Sequence, residues 1–280
     1  MKFDSNGAWL DAMAAVRANR QVLLAVAGVF FLLPTLLSTV FLTDVQTQIL
    51  EAMNKPETVE SIFSANLGLF LIFGLGGMLV QVIGYLTVMT LLSDRGRPTV
   101  GEAIVVALRA LPTMIGIFVL TMAATLLASM VFGLVLGALF GIILGTSVAS
   151  AIVAVALIIA VVYASIKLSL VVPVVVNEGL RNPAAAMVRS WQLTRHNSLR
   201  LFGFFVLLTI GYIAVAFMTT VVLVGPVALI LGQGDALTFY TGVISGVISA
   251  VTSVIFIAVL AFTHRQLAGP SPETISETFE

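Results

Sequence analysis

Six stretches of this chain, at about 21–43, 66–93, 112–140, 147–176, 200–231 and 238–263, are each apolar over a length that crosses a bilayer as a helix. Roughly 20 apolar residues, rising 1.5 Å apiece, span the hydrocarbon layer. In that medium the backbone must satisfy its own hydrogen bonds, which for runs of this length means helices. A water-soluble fold has no use for the same pattern. Only 9% of the residues are charged and 60% are hydrophobic, whereas a soluble domain carries about 25% charged residues to cover its surface. The fold class expected is therefore all-α, a polytopic membrane protein with six transmembrane helices.

The first stretch, from Gln21, is about 23 residues long. It exceeds the apolar core of a typical signal peptide and no clean small-residue cleavage site follows it, so it reads as a retained span. The third and fourth spans are separated only by Gly145, Thr146 and Ser147. Gly145 and Thr146 are expected to turn the chain, with Ser147 capping the next helix. Pro34, Pro173 and Pro226 fall inside apolar runs, where each is expected to kink or end its helix.

Orientation follows from the cations. In a six-span arrangement Lys2, Arg17, Arg20, Arg95, Arg97, Arg109, Arg181, Arg189, Arg195, Arg200 and Arg265 share one side, 11 of the 13 basic residues. Lys55 lies on the other side among Asp44, Glu51, Glu57 and Glu60, and Lys167 lies within a span. Both termini are then cytoplasmic. A five-span arrangement would put Arg265 on the wrong side.

Three similar segments precede the odd-numbered spans: "SNGAWLDAMAAVRANR", "TVGEAIVVALRALP" and "NPAAAMVRSWQLTR". Each opens on a helix-start signal: Ser5 or Asn6 in the first, a capping box of Thr99 with Glu102 in the second, and Asn182 followed by Pro183 in the third. Val100, Ile104, Ala107, Leu108 and Leu111 share one helical face, with Glu102 and Arg109 opposite. Ala184, Met187, Val188 and Trp191 share a face of the third segment, from which Arg189 and Gln192 turn away. These are expected to be amphipathic helices at the cytoplasmic interface, anchored by Trp9, Trp191, Arg17, Arg109 and Arg195. The unit of interfacial helix, span and span then repeats three times, at about 5–94, 99–178 and 182–268. The whole forms a single transmembrane domain, 1–268, with a polar tail at 269–280. Small residues recur every fourth position at Gly133, Gly137, Gly141 and Gly145, and again at Gly242, Gly246 and Ala250. Both stripes are expected to pack against neighbouring helices within the chain.

Little here points to bond-making chemistry. There is no cysteine, and the only histidines are His196 and His264. Neither has a second ligand at metal-binding spacing, so no metal site and no cofactor are expected. No nucleotide loop, no G-x-S-x-G and no intramembrane aspartate occurs. The formal net charge is zero, which gives no reason to expect a nucleic-acid partner. The polar groups inside the spans are mainly Gln81, Tyr85, Thr121, Thr125, Lys167, Tyr212, Thr219 and Thr220. Hydroxyls in lipid are expected to bond a neighbouring helix.

Lys167 is the unusual one. A lysine near the bilayer centre costs about 2.5–3.5 kcal/mol on insertion scales. If the helix loosens at Pro173, the ammonium can snorkel to the cytoplasmic interface. Alternatively Lys167 and Glu178 floor a polar cavity that receives an anionic headgroup or solute. In a straight helix these two residues are about 16 Å apart, so direct pairing needs a bend at Pro173. The candidate site is therefore Lys167, Pro173, Glu178, Gln81 and Arg189.

A basic residue, a proline, "NEG", an alanine-rich turn and "RSWQLTR" before a further apolar span resemble the membrane-domain family named for bacterial glycerophosphoryl diester phosphodiesterases. The matching positions are Lys167, Pro173, Glu178, Ala185, Arg189, Ser190, Trp191, Leu193 and Thr194, within about 40 residues. Lysine stands where arginine is the commoner residue. The resemblance implies a multi-span protein of the bacterial inner membrane. It does not imply phosphodiesterase activity, since the family's separate catalytic barrel has no counterpart here.

Two functions fit these readings. One is a non-catalytic membrane protein of envelope or lipid homeostasis that binds membrane lipids, anionic headgroups among them, or a partner membrane protein. The other is a transporter of a lipid or small solute, with its site near Lys167, Pro173 and Gln81. An intramembrane enzyme lacks a catalytic group.

Overall fold

The computed structural model describes residues 2–93, 98–232 and 234–269. Arg95, Arg97 and the tail from 270 onward lie outside these. Every regular element among the described residues is a helix. In order they are α1 (Ser5–Ala18), α2 (Arg20–Glu51), α3 (Pro56–Ala65), α4 (Leu67–Leu91), α5 (Val100–Leu144), α6 (Thr146–Leu168), α7 (Val171–Asn177), α8 (Pro183–Thr194), α9 (Ser198–Leu231) and α10 (Asp235–Ala268). Six spans long and apolar enough to cross a membrane result: α2, α4, α5, α6 with α7, α9 and α10. Helix α3, on the acidic loop between the first two spans, is not signalled by the apolar pattern. Its Phe63 stacks on Phe70 at 4.9 Å.

The prolines act in two ways. Pro34 and Pro226 do not break their helices. Each follows a widened π turn, Gly28–Leu32 and Thr220–Val224. The N–H of Leu33 donates to the Gly28 carbonyl and that of Gly225 to the Thr220 carbonyl, five residues back. A proline has no N–H to give and its ring presses on the carbonyl four residues back; the wider turn leaves room for it. Pro173 does break its helix. The carbonyl four residues back belongs to Ser169, and Ser169 and Leu170 form the turn that separates α6 from α7.

Other expectations are corrected. Helix α5 runs through Pro112 without interruption, so residues 100–111 are not a separate interfacial helix. At 1.5 Å per residue it is about 68 Å long, well beyond the hydrocarbon thickness of about 30 Å. Gly145 alone makes the turn into α6, at φ +84°, which only glycine adopts without strain. Ser147 is inside that helix and does not cap it. The Thr99–Glu102 capping box forms, with the Thr99 N–H 2.8 Å from Glu102 Oε2. Asn182 caps α8 through a bond from the Ala185 N–H at 3.2 Å. Helix α1 begins at Ser5, so Asp4 stands just before it.

The described residues fall into two compact units, one from within 6–93, 98–108, 205–232 and 234–262, the other from within 2–5, 109–204 and 263–269. In the first, α2 and α10 approach closely. A side chain at Gly242 would meet Leu36 and Thr39, and one at Gly246 would meet the Leu32 carbonyl at 3.2 Å. Gly84 of α4 lies hard against Phe30. These contacts match the small-residue reading at Gly242 and Gly246. Gly133 and Gly137 do not follow it: nothing lies within 4 Å of the position a Cβ would take. The span hydroxyls also differ from expectation. Thr121, Thr125, Thr219 and Thr220 each donate to the carbonyl four residues back in their own helix. A hydroxyl in lipid is satisfied there at no cost in packing.

Candidate functional site

The second unit gathers the residues of the quoted motif. The break after Leu168 leaves the Lys167 carbonyl without a helical donor. Ser190 of α8 supplies one, its Oγ donating at 2.7 Å. Thr194, one turn further along the same face, bonds the Ser190 carbonyl at 3.0 Å and lies 3.5 Å from the Lys167 oxygen. Ala186, Ser190 and Thr194 are all fully buried. The inward stripe of α8 is therefore small and hydroxylated. Its bulky apolar residues face outward, Val188 at 56% and Trp191 at 42% exposure. The same holds in α1, where Ala8 and Ala12 are buried and Leu10 exposed, and in α5, where Ala103, Ala107 and Ala110 are buried and Val105 and Leu108 exposed. In water this would be inverted. Where the surroundings are lipid, large apolar residues lose nothing outside, and small residues permit close approach inside.

The side chain of Lys167 is only 3% exposed. Its Nζ donates to Ser198 Oγ at 2.7 Å and sits 5.4 Å from the ring centres of both Tyr163 and Trp191. Those rings meet edge to face at 5.6 Å. Ser198 in turn donates to the Thr194 carbonyl at 2.8 Å. The ammonium is thus held by one hydroxyl and two π faces, with no carboxylate on it among the described residues. Neutral acceptors keep a cation inside without neutralising it.

Glu178 does not reach Lys167. Its Oε2 accepts from Arg189 Nε at 2.8 Å and its Oε1 lies 3.1 Å from His264 Nε2. Burial pushes the Glu178 carboxyl up, but hydrogen bonds from His264 and Arg189, with their charges, outweigh it and hold the carboxyl below its ordinary value. The buried Asn177 Oδ1 and Thr263 Oγ1 beside this cluster in sequence have no hydrogen-bond partner among the described residues. Two further ties complete the unit. The Phe3 N–H donates to Asn197 Oδ1 at 2.9 Å, with the Phe3 ring 5.5 Å from that of Phe204, and the Asp4 N–H donates to Gln266 Oε1 at 3.3 Å.

Of the candidate residues, Lys167, Pro173, Glu178 and Arg189 come together in this unit; Gln81 belongs to the other, half-buried on α4. Trp191 joins the cluster. Arg17, Arg109 and Arg195 are exposed, and Trp9 is half-buried. Sequence reasoning missed His264, Ser198 and Tyr163 as partners. Tyr163 was findable, being one helical turn before Lys167. His264 and Ser198 are 86 and 31 residues from their partners, and no local spacing links them. No group of three or more metal-ligating side chains occurs among the described residues.

Fold and site together define a helical chain of the multi-pass membrane type. No protein-family model, curated protein or solved structure matches it.

Proposed function

We propose that this protein is a non-catalytic integral protein of the bacterial inner membrane, with both termini cytoplasmic, acting in envelope or lipid homeostasis by binding lipid or a partner membrane protein. The observation that carries the reading is the use made of the polar motif. Lys167 is spent on Ser190, Thr194 and Ser198, and Glu178 on Arg189 and His264, as ties between elements of the fold. What faces outward from α8 is apolar and basic surface: Val188, Trp191, Arg195, and Arg200 just beyond. Such surface suits an anionic leaflet.

Threefold repetition of the segment that leads into each odd-numbered span, with its span pair, is part of this proposal; in the second copy that segment is continuous with its span. Its support is a shared register. Asp4, Thr99 and Asn182 each precede a helix, and the residues four and eight further on are buried and small in all three: Ala8 and Ala12, Ala103 and Ala107, Ala186 and Ser190. Membership of the membrane-domain family resembled in the sequence is also proposed, on the ground that matching positions bond one another, Lys167 with Ser190 and Thr194, and separately Glu178 with Arg189.

Reporter fusions at both ends, together with lipid analysis of protein extracted in native nanodiscs, test the reading. Both reporters on the cytoplasmic side and enrichment of anionic phospholipid are expected. Reporters on opposite faces, or a lipid complement equal to the bulk membrane with no co-purifying partner, would overturn it. A second reading, transport of a lipid or small solute, draws on one observation: the fourth span is discontinuous at Ser169 and Leu170, as the site-forming helices of transporters often are. Protein-dependent flux of phospholipid in reconstituted vesicles would favour it.

A further inference from the structure

We infer that Arg189 is the phosphate-binding residue of a specific anionic-phospholipid site on the outer face of α8, with Glu178 as its positioning residue; this rests on the lipid-binding reading above.

Lys167 is buried, and its donors are engaged by Ser198 and two rings. Arg189 differs. Its Nε is fixed on Glu178 Oε2, its side chain is 38% exposed, and its two terminal nitrogens meet no acceptor among the described residues. A guanidinium pinned by Nε has its plane set, and the remaining fork of N–H donors matches two phosphate oxygens.

The neighbouring positions supply the rest of a lipid site. Val188, the residue before Arg189, is exposed and offers apolar surface to an acyl chain. Trp191 is exposed on the other flank of the helix, about 200° round, an indole at headgroup depth that reports on the surrounding lipid without touching the phosphate. Charge fixes the class of headgroup. From residue 163 to residue 200 there are five basic residues and one acid, a net charge of +4, and no acid occurs between Glu178 and Asp235. A zwitterionic lipid would bring a choline or ethanolamine cation into that field; phosphatidylglycerol brings none. Among the described residues Glu178 is the sole carboxylate on Arg189. It orients the guanidinium without closing off the outward fork.

The test uses the full chain with Trp9→Phe, so that Trp191 is the one reporter, reconstituted with brominated phosphatidylglycerol or brominated phosphatidylcholine. Stronger quenching of Trp191 by the phosphatidylglycerol probe is expected, and Arg189→Gln should lower the relative binding constant about fivefold, the worth of one basic residue near a membrane surface. Glu178→Gln leaves the charge of Arg189 in place but loosens its anchor; it should lower the preference for phosphatidylglycerol by less than Arg189→Gln does, and an unchanged preference would remove Glu178 from the positioning role. If Arg189→Gln stays folded by circular dichroism and keeps the full preference, while Arg195→Gln or Arg200→Gln loses it, the site is wrong and the broader lipid reading survives. If the unaltered side chains at 189, 195 and 200 give no preference between the two lipids, the broader reading falls with it.

Discussion

Removing the buried lysine should cost less than removing the serine that holds it. In Lys167→Met the protein loses a charge-assisted hydrogen bond of 2.7 Å to Ser198, worth about 1.5–3 kcal/mol. It also loses two ring contacts at 5.4 Å, each about 0.5–2 kcal/mol. Against this, an ammonium no longer has to be carried into the membrane, which returns about 2.5–3.5 kcal/mol. Methionine has a similar volume and keeps the contact with Tyr163 and Trp191. The net change should fall within about 1.5 kcal/mol of zero. Ser198→Ala is different, because the charge stays. The ammonium loses its oxygen acceptor, and the Thr194 carbonyl loses the Ser198 donor. Stranding one partner of a buried charged bond costs about 2–4 kcal/mol. The double variant should then be nearly as stable as Lys167→Met alone, a coupling of about 2 kcal/mol. Equilibrium unfolding in mixed micelles of dodecyl maltoside and sodium dodecyl sulfate measures all three. A loss above about 3 kcal/mol for Lys167→Met, or no loss for Ser198→Ala, would refute the account of a cation held by neutral groups.

Further outcomes can be measured on the same preparation. Gly84→Ala should destabilise by about 1–3 kcal/mol because Phe30 must move, whereas Gly133→Ala, with open space around it, should be neutral or slightly stabilising. Asn182→Ala should cost about 1 kcal/mol through loss of the cap on Ala185. The folded-state carboxyl of Glu178 titrates below its ordinary 4.5. Its stabilisation is therefore complete above that value and is lost as pH falls through the depressed one. Acid unfolding of Glu178→Gln should accordingly be shallower than that of the parent, and parallel acid limbs would contradict the assignment.

The sequence made the spans legible because lipid imposes one demand, length of apolar helix, that composition answers directly. The caps at Thr99 and Asn182 were legible for a similar reason, each being complete within four residues. The direction faced by the amphipathic segments was harder. Val188 and Trp191 form an apolar stripe, but the stripe that packs is Ala186, Ser190 and Thr194, since in lipid the hydrophobic effect does not decide which face turns inward. Pro34 and Pro173 look alike as letters. One is absorbed by a π turn and the other breaks its helix, a choice left to tertiary packing. The pairing of Glu178 with His264 joins residues 86 apart, and only the fold brings them together.

The ties of the second unit also set an order of assembly. Phe3 is held by a residue 194 positions later, and Asp4 by one 262 positions later. A chain made from its amino end cannot close the first clasp until α8 has been delivered, nor the second until α10 has, and Glu178 waits equally for His264. The first residues synthesised are thus among the last to settle, and a nascent chain halted before α10 would carry a half-fastened leading end and an acid short of one partner.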